Sequence, residues 1–281
     1  MKIVYLGTDA YVSVFKYLLE KEEIMALYIC GNDEDYFREK EIVRIAEAHG
    51  VPVIERTITA EDEEKFINEG CRLFFSADYG RHIPVPEDER AVALNIHASA
   101  LPVGRSYCPV ECAMEKRAEK TGVSIHMISE EFDCGDIIMQ EVFVIPDEYD
   151  SVDVYLKCDL VAKQLTEKMM NDFSRHIAEA RRQETKEKYW KIEHIKQARL
   201  SHDMTVRQAQ DIYRIYNRMT RVKTRDGEVF YVRGIEYGKF VPEADELLLG
   251  DILIYRLADG HARIFAGKAE EEVWDAEKYP F

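Results

Sequence analysis

Lys2-Ile3-Val4-Tyr5-Leu6, closed by Gly7 and Thr8, is the stretch on which the fold turns. A short unbroken apolar run of this kind reads as a strand buried on both faces, the kind found inside parallel sheets. Behind it, Tyr11–Glu20 sets Val12, Phe15, Leu18 and Leu19 at helical spacing. The alternation continues with strand Ile24–Cys30, helix Glu41–His49 stopped by Gly50, strand Val51–Ile54, helix Asp62–Asn68 and strand Arg72–Ser76. Strand, helix, strand in this rhythm predicts parallel strands joined by right-handed crossovers. Residues 91–97 (AVALNIH), Gly122–Ser129 and Asp136–Val144 add three strands, and Val110–Lys120 a helix. A long helix, capped by Ser151 or Asp153, is expected to run to about Ala180. The fold class is therefore α/β: a Rossmann-like, mostly parallel sheet with flanking helices over residues 1–180, followed by something smaller.

From about Arg181 the texture becomes polar and charged, and residues 181–200 read as a linker. Residues 201–281 read as a small β-rich C-terminal domain. An amphipathic helix, His202–Asn217, precedes short strands at Val229–Val232, Asp251–Tyr255 and Ala262–Phe265, with Asp226-Gly227 and Asp259-Gly260 as hairpin turns.

The chain has 281 residues, 46% of them hydrophobic and 33% charged, with a formal net charge of −16. This is a globular composition. No run approaches the ~18 apolar residues of a membrane span, and the N-terminus lacks the apolar stretch and cleavage site of a signal peptide. A cytoplasmic protein is expected, with Cys30, Cys71, Cys108, Cys112, Cys134 and Cys158 as reduced thiols. Cys108 and Cys112 are one helical turn apart, but no second Cys or His pair follows at zinc-site distance, so no metal is expected. A chain this acidic is also a poor polyanion binder, since nucleic-acid affinity rests on Lys and Arg neutralising phosphates.

Ligands of open parallel sheets bind beyond the carboxyl ends of the strands. One strand here ends Leu94-Asn95-Ile96-His97, and alternation puts Asn95 and His97 on the same side. The loop Glu130-Glu131-Phe132-Asp133-Cys134-Gly135-Asp136 follows another strand. If both strands run the same way in one sheet, an amide, an imidazole and a carboxylate meet at one rim. Such a trio suits acyl transfer to an amine. Asn95 donates to the oxyanion of a tetrahedral intermediate, His97 takes or returns a proton near neutrality, and Asp133 orients the imidazole, with Gly135 letting the loop bend close.

At these residues the sequence resembles the folate-dependent formyltransferases, the superfamily of methionyl-tRNA, glycinamide-ribonucleotide and sugar N-formyltransferases. The run Asn95-Ile-His-Ala-Ser-Ala-Leu-Pro102, with Arg105 and Pro109, is similar to the signature Asn-x-His-x-Ser-x-Leu-Pro-x-x-Arg-Gly-x-x-Pro. Thr121-Gly-Val-Ser-Ile-His126 and Phe132-Asp-Cys-Gly-Asp-Ile-Ile138 are similar to the second signature, and Leu6-Gly-Thr8 and Tyr79-Gly-Arg-His-Ile-Pro84 fall on further family positions. The resemblance implies catalytic roles for Asn95, His97 and Asp133. It also implies N10-formyltetrahydrofolate as co-substrate, lying between the loop at Arg81, His82 and Ile83 and the loop that holds Ile128, Glu130 and Phe132. His126 falls on a histidine often near the site, or serves packing.

One departure bears on the acceptor. Ser106 stands where the family has Gly after the motif Arg, and Tyr107 and Cys108 follow, in a loop that generally borders the acceptor pocket. Arg105 and Tyr107 are the candidate acceptor-binding residues. The tRNA enzymes carry a basic insertion near the second strand, where this chain reads the acidic Gly31-Asn-Asp-Glu-Asp-Tyr-Phe37, and residues 201–281 hold 12 Lys/Arg against 15 Asp/Glu. The run Arg214, Arg218, Arg221, Lys223 and Arg225 is either a solvated face or a contact to a phosphate-bearing acceptor or second chain. A small acceptor is expected, a nucleotide-linked amino sugar before methionyl-tRNA. A homodimer through the second domain and a formyltransferase-like binding module without turnover are the remaining readings.

Overall fold

The computed structural model describes residues 1–30, 40–86, 88–184, 188–190 and 198–268; the acidic stretch 31–37, where the sequence was read against tRNA, lies outside the described residues. The chain forms two compact units, Met1–Asp147 with Asp153–Trp190, and Glu148–Val152 with Lys191–Phe281.

In the first unit, strands β1 (Lys2–Gly7), β2 (Glu23–Ile29), β3 (Val53–Glu55), β4 (Cys71–Ala77), β5 (Val92–His97), β6 (Lys120–Met127) and β7 (Ile137–Val144) form one sheet in the order β3-β2-β1-β4-β5-β6-β7. The first five are parallel. Helices α1 (Val12–Lys21), α2 (Lys40–Ala48) and α3 (Ala60–Asn68) carry the early crossovers. Ile3, Val4, Tyr5 and Leu6 of β1 and Leu73, Phe74 and Phe75 of β4 are fully buried, as their unbroken apolar runs require. Truncating a residue such as Phe74 to Ala in this setting costs roughly 3–5 kcal/mol. Local signals agree: Thr59 and Asp62 make a capping box at the start of α3, and the Asp9 carboxylate accepts from Glu41 N (3.1 Å) and Ile42 N (2.8 Å) in the first turn of α2.

The expectation that the strands flanking the site share a direction is not met. β6 pairs antiparallel with β5, and β7 antiparallel with β6. The helix between β5 and β6, α4 (Pro109–Glu115), has seven residues. It spans about 10 Å, against about 20 Å for a six-residue strand, so the chain re-enters the sheet from the end at which it left. Arg117 (φ 51°) takes the left-handed conformation just beyond α4, which stops short of the expected Lys120. The long helix is likewise two: α5 (Ser151–Asn171) and α6 (Phe173–Ala178), broken at Asp172, whose φ and ψ are −149° and 58°.

In the second unit, β8 (Arg199–Leu200), β9 (Arg221–Lys223), β10 (Val229–Gly238), β11 (Glu246–Leu249), β12 (Ile252–Leu257) and β13 (Gly260–Lys268) form a sheet in the order β11-β12-β13-β10-β9-β8. It is antiparallel except for β8 and β9. Helix α7 (Val206–Tyr216) contributes Ala209 to a core with Leu200, Val222, Phe230, Val232, Leu253, Tyr255 and Ile264. A wholly solvated basic face is ruled out by Arg221, which is buried with its guanidinium over the Tyr231 ring, 5.0 Å from its centroid. Among the described residues no helix is long and apolar enough to cross a membrane, and no group of His, Cys, Asp and Glu is arranged to hold a metal ion.

Candidate active site

β1, β4 and β5 end together at the carboxyl edge of the sheet. Thr8 follows β1, donates from Oγ1 to Asp78 Oδ2 (2.7 Å) and accepts from Ala10 N (3.2 Å), so it ties two strand ends to the next turn. At the end of β5, Asn95 lies opposite His126 of β6 and His97 opposite Ser124. The antiparallel partner thus supplies a second imidazole to the same rim.

The hydrogen bonds define both tautomers. His126 Nδ1 is 2.7 Å from the Met127 carbonyl oxygen, which only accepts, so Nδ1 carries the proton. Its Nε2 keeps a lone pair and accepts from Asn95 Nδ2 at 3.2 Å. Burial pushes His126 down to about 4, against the opposing pull of Asp133, so this acceptor stays neutral at physiological pH. Asn95 is thereby held with one amide N–H on His126 and the other left for a ligand.

His97 is set the opposite way. Its Nε2 lies 2.9 Å from the Gly104 carbonyl oxygen and must be the protonated nitrogen, leaving Nδ1 with its lone pair. Gly104 belongs to a turn anchored by side chains of β6 and β7: Ser124 Oγ donates to Ser99 O (2.7 Å) and accepts from Leu101 N (3.1 Å), while Gln140 Nε2 donates to Leu101 O (2.7 Å). Gly104 has φ 79°, and a Cβ there would stand 2.9 Å from Ser99 Cβ.

His97 Nδ1 faces Asp133 Oδ1 at 3.4 Å, and the same oxygen is 3.9 Å from His126 Nε2. The acidic loop reaches this place although β6 runs away from it. Asp133 adopts φ 57°, and Gly135 packs so tightly that a Cβ would lie 1.9 Å from the Met127 carbonyl oxygen. Asn95, His97 and Asp133 are therefore brought together, with His126 as a fourth member. Sequence reading left His126 between packing and the site; its alternation with Ser124 on β6 was the available signal. The Gly104 carbonyl was missed, and no side-chain pattern marks a main-chain acceptor.

The remaining candidates divide. Ile83 is buried and Ile128 packs against the same core cluster, while the His82 and Phe132 rings meet edge to face at 6.1 Å, so the two expected loops do adjoin. Phe132 is 44% exposed, and Glu130 is exposed. The Arg81 side chain is engaged elsewhere, donating to Thr57 Oγ1 (3.0 Å) and to the Cys30 carbonyl. Arg105 is half-buried, with its Nε buried and unpartnered. Tyr107 is half-buried beside it. Ser106, the departure from the motif, is buried; its Oγ accepts from Cys108 N (3.2 Å) and lies 3.4 Å from Cys112 Sγ, which makes it part of the turn into α4.

A formyl transferase family model matches residues 55–169, a span that contains the whole constellation. Over these residues the chain is similar to the formyl transferase family. A methionyl-tRNA formyltransferase of Bacillus mycoides (strain KBAB4) is 33% identical over 150 residues, 50% of this chain and 48% of that one. The chain thus spans about half the length of that curated relative. A sugar N-formyltransferase from Shewanella sp FDAARGOS_354 shares the fold with a TM-score of 0.63 at 20% identity, over 83% of this chain and 97% of that one. An N-formyltransferase from Helicobacter canadensis, solved with folinic acid and dTDP-3-aminofucose, has a TM-score of 0.58 at 17% identity, over 95% of this chain and 100% of its own.

Proposed function

We propose that the protein transfers a formyl group from N10-formyltetrahydrofolate to the amine of a small acceptor, a nucleotide-linked amino sugar. The observation that carries this is the tautomer-defined cluster: a donor at Asn95 Nδ2, a free base at His97 Nδ1 and a carboxylate 3.4 Å from it. Asn95 donates its second N–H to the oxygen that becomes negative when the amine adds to the formyl carbon. His97 Nδ1 removes the amine proton, and Asp133 stabilises the imidazolium so formed before the proton passes to the leaving folate nitrogen. His126, neutral, keeps Asn95 aimed.

The apolar Ile83 and Ile128 with the edge-to-face His82–Phe132 pair suit a flat pterin ring. Arg81 is spent on Thr57 and Cys30, and is assigned to shaping its loop. The unpartnered Arg105 Nε is the group proposed to meet an acceptor phosphate, with Tyr107 beside it. The net charge of −16 supports a small acceptor over tRNA, and the Helicobacter protein, whose whole length aligns with this chain, was solved with a dTDP-linked amino sugar. The curated relatives favour methionyl-tRNA instead. The test is tetrahydrofolate release from N10-formyltetrahydrofolate with dTDP-3-aminofucose, UDP-linked amino sugars and charged initiator tRNA. Formylation of a nucleotide sugar is expected; efficient formylation of the tRNA alone would overturn the acceptor, and folate binding without turnover on any acceptor would overturn the enzyme reading.

A further inference from the structure

Residues 181–190 carry no apolar periodicity, yet their described members return to both loops of the site. Arg181 and Ile137 exchange main-chain hydrogen bonds of 2.8 Å in each direction, at the foot of the acidic loop. Gln183 Nε2 donates to the Asp133 carbonyl (2.9 Å) and to the Gly135 carbonyl (2.7 Å). Trp190 N donates to the Arg105 carbonyl (2.7 Å), and its ring lies 3.5 Å from where a Cβ on Gly104 would stand. Burial raises the Tyr189 hydroxyl well above its ordinary value, with Asp133 as the next cause, which places that side chain in the field of the site carboxylate.

We infer that Gln183 is a positioning residue for Asp133, the clamp that holds the acidic loop in the one conformation that sets its carboxylate beside His97. The inference rests on the formyl-transfer reading of the same site. A residue with φ 57° is not held there by its own backbone preference, since left-handed geometry is unfavourable for a residue with a Cβ. Asp tolerates it better than most, and bonds within the loop such as Ser129 Oγ to Glu131 O (2.8 Å) contribute, but contacts from outside the loop add to the hold. Gln183 reaches the carbonyls on both sides of Cys134, so one side-chain amide fixes the peptide planes that flank the turn. Its terminal nitrogen faces two groups that can only accept, so the amide has a single workable orientation, with Oε1 buried and unpartnered. Turned over, it would set an oxygen against two carbonyl oxygens and leave both acceptors unsatisfied. The positioning acts through Asp133 and needs no contact with substrate, because the effect of the carboxylate on Nδ1, 3.4 Å away, depends on where the loop holds it.

Two measurements on the full chain decide it. Hydrogen exchange of the peptide covering residues 128–136 needs no acceptor. Gln183→Met, similar in size but without donors, and Gln183→Glu are both expected to speed exchange there about tenfold and to leave β1 and β2 unchanged. Unchanged exchange in the loop would overturn the inference. The second is a double-mutant cycle with Asp133→Asn, read as single-turnover transfer from N10-formyltetrahydrofolate to dTDP-3-aminofucose. Gln183→Met is expected to lower kcat about tenfold with less than a twofold change in KM for the folate, and to have no further effect once Asp133 is Asn. A full multiplicative effect in the Asp133→Asn background would show a general structural role and sink the positioning claim. If Asp133→Asn transfers at the wild-type rate, Asp133 has no role for Gln183 to serve and the positioning claim falls; if the wild-type protein transfers no formyl group, the formyl-transfer reading fails instead, and the exchange result alone still decides whether Gln183 holds the loop.

Discussion

His97 Nε2 lies 2.9 Å from the carbonyl oxygen of Gly104, a group that can only accept, and this one contact determines which nitrogen of His97 is free to act as a base. The free atom is Nδ1, on the Asp133 side. His97→Gln retains an amide N–H for Gly104 and offers nothing that takes up a proton. Turnover is expected to fall by about 10²–10⁴, with folate affinity and thermal midpoint close to wild type. Steady-state kinetics on the Gln variant checks this; a wild-type rate would mean that the imidazole moves no proton.

His126 contributes through its neutrality. Its folded pKa is pushed down to about 4, while in the unfolded chain it titrates near 6.5, so between those values the unfolded state binds more protons. The stability it confers is complete above about pH 6.5 and is lost as pH falls through about 4, a loss of about 3 kcal/mol. His126→Phe is expected to flatten this part of the pH–stability curve in urea unfolding. It also removes the acceptor that aims Asn95, so kcat is expected to drop about tenfold at pH 7.5.

Glu111 behaves with the opposite sign. It is buried in α4, its Oε2 accepts from the Tyr155 hydroxyl at 2.9 Å, and burial pushes its carboxyl up to about 7. The folded state therefore binds the extra proton, and the stability from the neutral carboxyl is full below about pH 4.5 and gone above about 7. Glu111→Gln keeps an acceptor for Tyr155 and carries no charge. It is expected to match wild type near pH 4.5 and to exceed it by about 3 kcal/mol at pH 8 in urea unfolding. Equal stability at pH 8 would show that the ionised carboxylate is not penalised.

Much of this was legible in the amino-acid sequence, for reasons that particular residues make plain. Ile3, Val4 and Leu6 announce a two-sided strand because a buried parallel strand needs apolar groups on both faces. Asn95 and His97 share a face because strand side chains alternate with period two. Strand direction was not legible: Val123, Ser124 and Ile125 of β6 would read the same in either sense, and only the shortness of α4 decides it. The acidic loop and its Asp133 were legible from their place after a strand and from Gly135, but the reach to His97 was not, since it depends on a left-handed residue and on Gln183, and hydrogen bonds to main-chain carbonyls leave no trace in hydrophobic patterning. For the same reason residues 181–200 read as a linker, although Arg181, Gln183 and Trp190 touch the loops of the site.

Asn95 gives the most direct test, because the amide N–H that it does not donate to His126 is the one proposed to meet the developing negative charge. The measurement is single-turnover release of tetrahydrofolate from N10-formyltetrahydrofolate by wild type and Asn95→Ala, with folate binding followed on the same samples. Expected is near wild-type folate affinity with transfer slowed by about 10²–10³. Transfer by Asn95→Ala at the wild-type rate, or a wild-type protein that binds the folate and never releases its formyl group, would contradict it.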